Sequence, residues 1–169
     1  MAQETFHEIV VKKCLSLREI KAFTFYKFTH LKSLILTANN FSKIDKNSFR
    51  HLTHLEKLDL SSNPLSQIED FTFRDLSSLK RLVLESTLLK QIDARTLSGL
   101  LSLSELYLSK SYQLKRIDGA AFVDFKETLK ELYLKDTLVN IIETLVNDGL
   151  EPPYLTTLKD SDISGIFMF

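Results

Sequence analysis

"HLEKLDLSSNPLSQIEDFTFRDL", residues 54–76, places Leu55, Leu58, Leu60, Asn63, Leu65, Ile68 and Phe73 at a rhythm that neither a helix nor a strand sustains for long. Its first part alternates. Leu58 and Leu60 point one way from a short extended run, which leaves Lys57, Asp59 and Ser61 on the opposite face. The chain must then turn, and Leu65, Ile68, Phe73 and Leu76 follow at intervals suited to a return path that fills the inside of a coil. A buried turn leaves N–H and C=O groups without ladder partners. The amide of Asn63, which carries both donors and an acceptor, suits that turn.

The same pattern recurs along the chain. Ile20, Ile44, Ile68, Ile92, Ile117, Ile142 and Ile166 follow one another at spacings of 24, 24, 24, 25, 25 and 24 residues. Phe25, Phe49, Phe73, Leu97 and Phe122 each stand five residues after one of them. Ahead of them run the pairs Leu34/Leu36, Leu58/Leu60, Leu82/Leu84, Leu106/Leu108 and Leu132/Leu134. A period in this range with L-x-x-L-x-L-x-x-N-x-L marks a leucine-rich-repeat solenoid. The expected fold is an α/β solenoid, a right-handed superhelix with short parallel strands on its concave face and irregular or short helical turns on its convex face. One domain, 1–169, is expected to hold coils at 6–30, 31–54, 55–78, 79–102, 103–128, 129–152 and an incomplete 153–169, with degraded leucine positions at Pro153 and Thr156. No coil can bury both of its flat faces alone, so stability comes from stacking on neighbours. Each fully buried apolar side chain is worth roughly 1.5–3 kcal/mol.

The turn slot of Asn63 is filled by Cys14, Asn39, Thr87, Ser111, Thr137 and Ser161 in the other coils. Cys14 thus reads as a structural residue, and the shorter hydroxyls predict a less rigid C-terminal half. With a single cysteine, no internal disulfide is available. The 169 residues are 44% hydrophobic and 26% charged, with 22 basic and 22 acidic side chains, a balance that gives no global attraction to nucleic acid or an anionic membrane. No apolar run is long enough to insert into a bilayer. Nucleophile-elbow, P-loop, dinucleotide and zinc signatures are all missing, so an enzyme is not expected, and no cofactor is implied.

The form L-x-x-L-x-L-x-x-N-x-L-x-x-I-x-x-x-x-F-x-x-L resembles the repeats of extracellular leucine-rich-repeat proteins: Toll-type and Slit-type receptors and glycoprotein-hormone-receptor ectodomains. "SYQLKRIDGAAF", residues 111–122 with one extra residue, is similar to hormone-receptor coils. The resemblance implies capture of a protein or peptide ligand, outside the cell or at its surface. It also implies cysteine-rich end caps, which this sequence lacks. The chain is therefore expected to be a piece of a longer ectodomain, or an incomplete gene product. The uncapped ends are expected to allow edge-to-edge self-association. The alternative is an intracellular adaptor or scaffold in the cytoplasm.

Binding is expected on the concave face. Its central column should be Val10, Ile35, Asp59, Val83, Tyr107, Tyr133 and Thr157, flanked by Arg81, Glu85, Glu105, Glu131 and Lys135. Tyrosines beside an arginine are what binding hot spots are made of, although tyrosine also suits any exposed strand. Single-residue insertions at 111–114 and 125–129 lie near this face and should map to loops. Asn40-Phe41-Ser42 is an N-glycosylation acceptor sequence, and Asn40 should face solvent. Asp45, Glu69, Asp93, Asp118 and Glu143 follow the isoleucines; they are expected to cap turns rather than bind calcium, because no glycine-rich calcium loop accompanies them. His30, His51 and His54 cluster without a convincing fourth ligand for zinc.

Overall fold

In the computed structural model the described residues are 6–139 and the strand at 157–158. The strands, in chain order, are β1 (Glu8–Val10), β2 (Glu19–Ile20), β3 (Ser33–Ile35), β4 (Lys43–Ile44), β5 (Lys57–Asp59), β6 (Arg81–Val83), β7 (Gln91–Ile92), β8 (Glu105–Tyr107), β9 (Arg116–Ile117), β10 (Glu131–Tyr133) and β11 (Thr157–Leu158). Seven of them make one parallel sheet in the order β1-β3-β5-β6-β8-β10-β11. The others form two small parallel pairs on the return path, β2 with β4 and β7 with β9.

The alternation in the leucine pairs explains the sheet. Leu34, Leu58, Leu82, Leu106 and Leu132 are register partners across it and are buried, while their neighbours on the same strands are half-buried. Leu65, Ile68, Phe73 and Leu76 close the coil from the other side, all of them buried. Phe25, Phe49 and Phe73 stack in a ladder, with ring centroids 6.2 and 6.0 Å apart and planes within 8° and 16° of parallel. Leu97 takes the next rung, so the aromatic ladder is interrupted and resumes at Phe122.

The convex return is irregular, with helical structure nearly absent. Among the described residues it holds one short 3-10 segment, η1 (Gly119–Phe122), and the two small strand pairs, the rest being turns and irregular chain. The spacing between isoleucine and phenylalanine leaves too few residues for a helix. Hydroxyls serve the backbone instead: Thr24 donates to the Lys21 carbonyl at 2.6 Å, Ser48 to Ile20 at 2.8 Å and Thr72 to Glu69 at 2.7 Å.

One register differs from expectation. β11 pairs Thr157 with Glu131 and Leu158 with Leu132, so Thr157 stands outside the Tyr107–Tyr133 column. The shift follows from a longer coil, in which Leu158 rather than Thr156 meets Leu132. The expected slot residue Ser161, the isoleucines Ile142 and Ile166, Glu143 and Pro153 lie outside the described residues.

Candidate functional site

The described turn slots follow the sheet strands β1, β3, β5, β6, β8 and β10. The residue before each slot, namely Lys13, Ala38, Ser62, Ser86, Lys110 or Asp136, has φ between 53° and 60°. This left-handed turn re-aims the chain from the sheet toward the return path. It was not foreseen, because none of the six is glycine; the only sequence signal was position relative to the slot. The stack holds the turns: the N–H of Ser62 donates to the Glu85 carbonyl at 2.9 Å and that of Lys110 to Lys135 at 2.7 Å.

Within the slots, Asn63 spends its amide fully. Its Nδ2 donates to the carbonyls of Leu36, Leu60 and Ser61 at 2.9, 2.9 and 3.0 Å, and its Oδ1 accepts from the Asn39 N–H at 3.1 Å. Asn39 repeats this one coil earlier, accepting from the Cys14 N–H at 2.9 Å and donating to Val11 at 2.9 Å. The thiol of Cys14 is half-buried 3.4 Å from the Ser16 hydroxyl, a contact that draws its pKa down. Thr87 and Ser111 share a hydroxyl pair at 3.1 Å and both reach the Leu84 carbonyl, while Thr137 donates to its own coil at Leu134.

On the concave face, β8 and β10 bring Tyr107 and Tyr133 into register. Their rings stack with centroids 4.2 Å apart and planes 8° from parallel. Each hydroxyl donates to the carboxylate two residues earlier on its own strand, Tyr107 to Glu105 at 2.8 Å and Tyr133 to Glu131 at 2.5 Å. Arg81 on β6 pairs with the same Glu105 carboxylate at 2.6 Å, and its guanidinium lies 5.7 Å from the centre of the Tyr107 ring. Burial first, then the bonds to Glu105 and Tyr133, hold the Tyr107 phenol well above its usual range. Arg81, Glu105, Tyr107, Glu131 and Tyr133 are all half-buried, so they form a pre-ordered aromatic surface with a charged rim.

The remaining expected residues border the stack or continue its column. Asp59 accepts from the Ser61 N–H at 3.0 Å and from the Ser61 hydroxyl at 2.6 Å. Glu85 is half-buried, and burial, reinforced by the Asp59 charge and opposed by Lys110, raises its pKa. Val83 is half-buried between Asp59 and Tyr107 in the register, and Lys135 is exposed.

Asn40 is half-buried; its Nδ2 donates to the Leu15 carbonyl at 3.3 Å in an exposed bond, and Phe41 beside it is fully buried. Asp45 and Asp118 do cap turns, accepting from Asn47 N–H at 2.8 Å and Ala120 N–H at 3.1 Å. Asp93 instead receives the Gln91 amide, at 2.9 and 3.0 Å. His30 and His54 rings lie 5.8 Å apart, and His54 Nδ1 is 3.1 Å from the Thr29 carbonyl. Among the described residues no group of three or more His, Cys, Asp or Glu is placed to hold a metal ion, and no helix is long and apolar enough to cross a membrane.

Two solved structures of the Drosophila Toll–Spatzle complex, described as a molecular hub in development and innate immunity, contain a similar chain. One is 21% identical with a TM-score of 0.71 over 89% of this chain. The other, a glycosylated form, is 23% identical with a TM-score of 0.69 over 91%. The match spans only 23% and 24% of those chains, and at this identity it shows the fold. No curated protein matches the sequence. The leucine-rich-repeat family model matches residues 7–65 and 53–112, more than half of the chain. With that match on the same coils that the sheet and its leucines define, the chain belongs to the leucine-rich-repeat family.

Proposed function

We propose that this chain is a non-catalytic recognition module that holds a protein or peptide ligand on its concave face, against the Tyr107–Tyr133 stack. The family supplies protein-interaction scaffolds; the observation that carries this reading further is the stack itself. Two aromatic rings 4.2 Å apart, with hydroxyls tied to Glu105 and Glu131, offer a rigid apolar platform at little further entropic cost. Arg81 beside them adds a charge that a ligand carboxylate or carbonyl would meet. The setting proposed is extracellular or cell-surface, as part of a longer chain; the fold shared with a chain of the Toll–Spatzle complex supports it, and Asn40 is the proposed glycan site.

A displayed random-peptide library panned on the 169-residue chain tests the face. Enriched peptides should lose most of their binding to a Tyr107→Ala/Tyr133→Ala variant whose circular dichroism is unchanged. Peptides that bind this variant as well as the parent would sink the concave-face reading. The setting is tested separately, by treating the native protein from its own tissue with an N-glycosidase. A mass shift lost in Asn40→Gln supports it, and an unshifted, sugar-free protein favours an intracellular scaffold.

A further inference from the structure

Leu88, Tyr112 and Leu138 occupy the same place on three successive coils, the residue after the slots of Thr87, Ser111 and Thr137. They are 42, 66 and 58% exposed. The turns of Leu88 and Leu138 are tied to the coil before, with Leu88 N–H donating to the Leu65 carbonyl at 2.9 Å and Leu138 N–H to Leu114 at 2.8 Å, and Tyr112 stands on the coil between them, in the turn with the inserted residue. The three exposed side chains thus follow the sheet strands on successive coils, along the lateral edge where the chain leaves the sheet. Pro64, half-buried, continues the row one coil earlier. A single exposed leucine on a protein surface is ordinary; a large exposed apolar residue after the slot on each of three successive coils is not.

Charge says what fits there. Lys90, Lys110, Lys115 and Lys135 are exposed and lie within a few residues of the row in sequence. The Lys115 N–H donates to the Lys90 carbonyl at 3.0 Å and the Lys110 N–H to the Lys135 carbonyl at 2.7 Å, so each pair sits on adjacent coils. None of the four is in an ion pair among the described residues. Among the described residues within three positions of the row in sequence, the acidic ones are Glu85, on which the Lys110 charge acts, and Asp136.

We propose that this lateral edge is a second docking surface, for an extended protein segment in which acidic and apolar residues alternate. Apolar side chains of such a segment lie along Leu88, Tyr112 and Leu138, and its carboxylates meet the lysines. A second copy of this chain is a poorer occupant, because a twofold contact would set the same lysines against each other. A membrane surface is poorer too, since the row is one side chain wide and is interrupted by Asp136.

The test uses the 169-residue chain and a fluorescently tagged eight-residue peptide alternating glutamate and leucine, followed by anisotropy. Saturable binding is expected, stronger at low salt. Leu88→Ser/Tyr112→Ser should weaken it about tenfold or more. Lys110→Glu/Lys115→Glu should weaken it too and flatten its salt dependence. All four positions are exposed, so the variants should keep the parent circular dichroism. Tyr107→Ala/Tyr133→Ala should bind this peptide as the parent does, which separates the edge from the concave face. The proposal is overturned if the parent shows no saturation by about 1 mM peptide, or if the edge variants bind undiminished. It is equally overturned if sedimentation finds a parent dimer that Tyr112→Ser dissolves, or if anionic vesicles bind through these residues while the peptide does not.

Discussion

Gly99 has φ +94°, and a Cβ added there would lie 2.4 Å from the Cα of Arg74 and 2.6 Å from its carbonyl oxygen, on the coil before. Backbone cannot move aside as a side chain tip can. Gly99→Ala combines a strained φ, worth about 1–3 kcal/mol alone, with forced separation of two coils. Its urea unfolding midpoint should fall well below that of the parent, whereas Gly119→Ala in the 3-10 turn should cost less. Glu85 makes a second prediction at this scale. Its folded pKa is raised by burial and the Asp59 charge, so between the unfolded and folded values the native state binds more protons than the unfolded chain. Stability contributed by this group is thus present at low pH and is lost as pH rises through the raised pKa. Glu85→Gln should raise the melting temperature at pH 7 and show little difference near pH 4, as scanning calorimetry at both pH values would reveal. An equal effect at the two pH values would contradict the assignment.

At the scale of one coil, Asn63 joins three carbonyls and one N–H that would otherwise be buried without partners. Asn63→Ala leaves several of them orphaned, at about 1–3 kcal/mol for each that finds no water. Thr137→Ala, which removes one hydroxyl bond within its own coil, should cost far less in the same chemical denaturation experiment. Much of the coil was legible in the sequence because a buried side chain is either apolar or paired, and both leave a residue-type signature at fixed spacing. Leu58, Leu60, Phe73 and Asn63 are examples. Thr72 before Phe73 and Ser48 before Phe49 carried a signature too, a hydroxyl next to each phenylalanine, that only the backbone bonds make meaningful. The left-handed turns left none, since Lys13, Ala38, Ser62, Ser86, Lys110 and Asp136 share a backbone angle and no chemistry. Tyr107 and Tyr133 were legible as neighbours, but the bonds that tie their hydroxyls to Glu105 and Glu131 depend on rotamers that sequence spacing does not specify.

Across the whole molecule, coils contact chiefly their neighbours, so local strength is expected to vary along the axis. Asparagine amides bridge the coils of β1, β3 and β5, and a phenylalanine ladder runs through Phe25, Phe49 and Phe73. Beyond them stand hydroxyl slots and the Leu97 interruption. Native-state hydrogen exchange should find the β3 and β5 amides more protected than those of β8 and β10. Uniform protection would mean that the sheet's own ladder, and not the slots, sets coil stability. Thr157 belongs to the same scale, because its register depends on the total length of a coil rather than on any residue type within it.

The tyrosine stack also gives the molecule an optical property. The chain contains five tyrosines and no tryptophan, so its emission on excitation above the phenylalanine absorption band comes from phenol rings. Two of the five are face to face at 4.2 Å with their hydroxyls bonded to carboxylates, an arrangement in which excited phenols relax without emitting. The folded protein should therefore be dimmer than its tyrosine count suggests. A ligand that parts the rings would brighten it with no label attached.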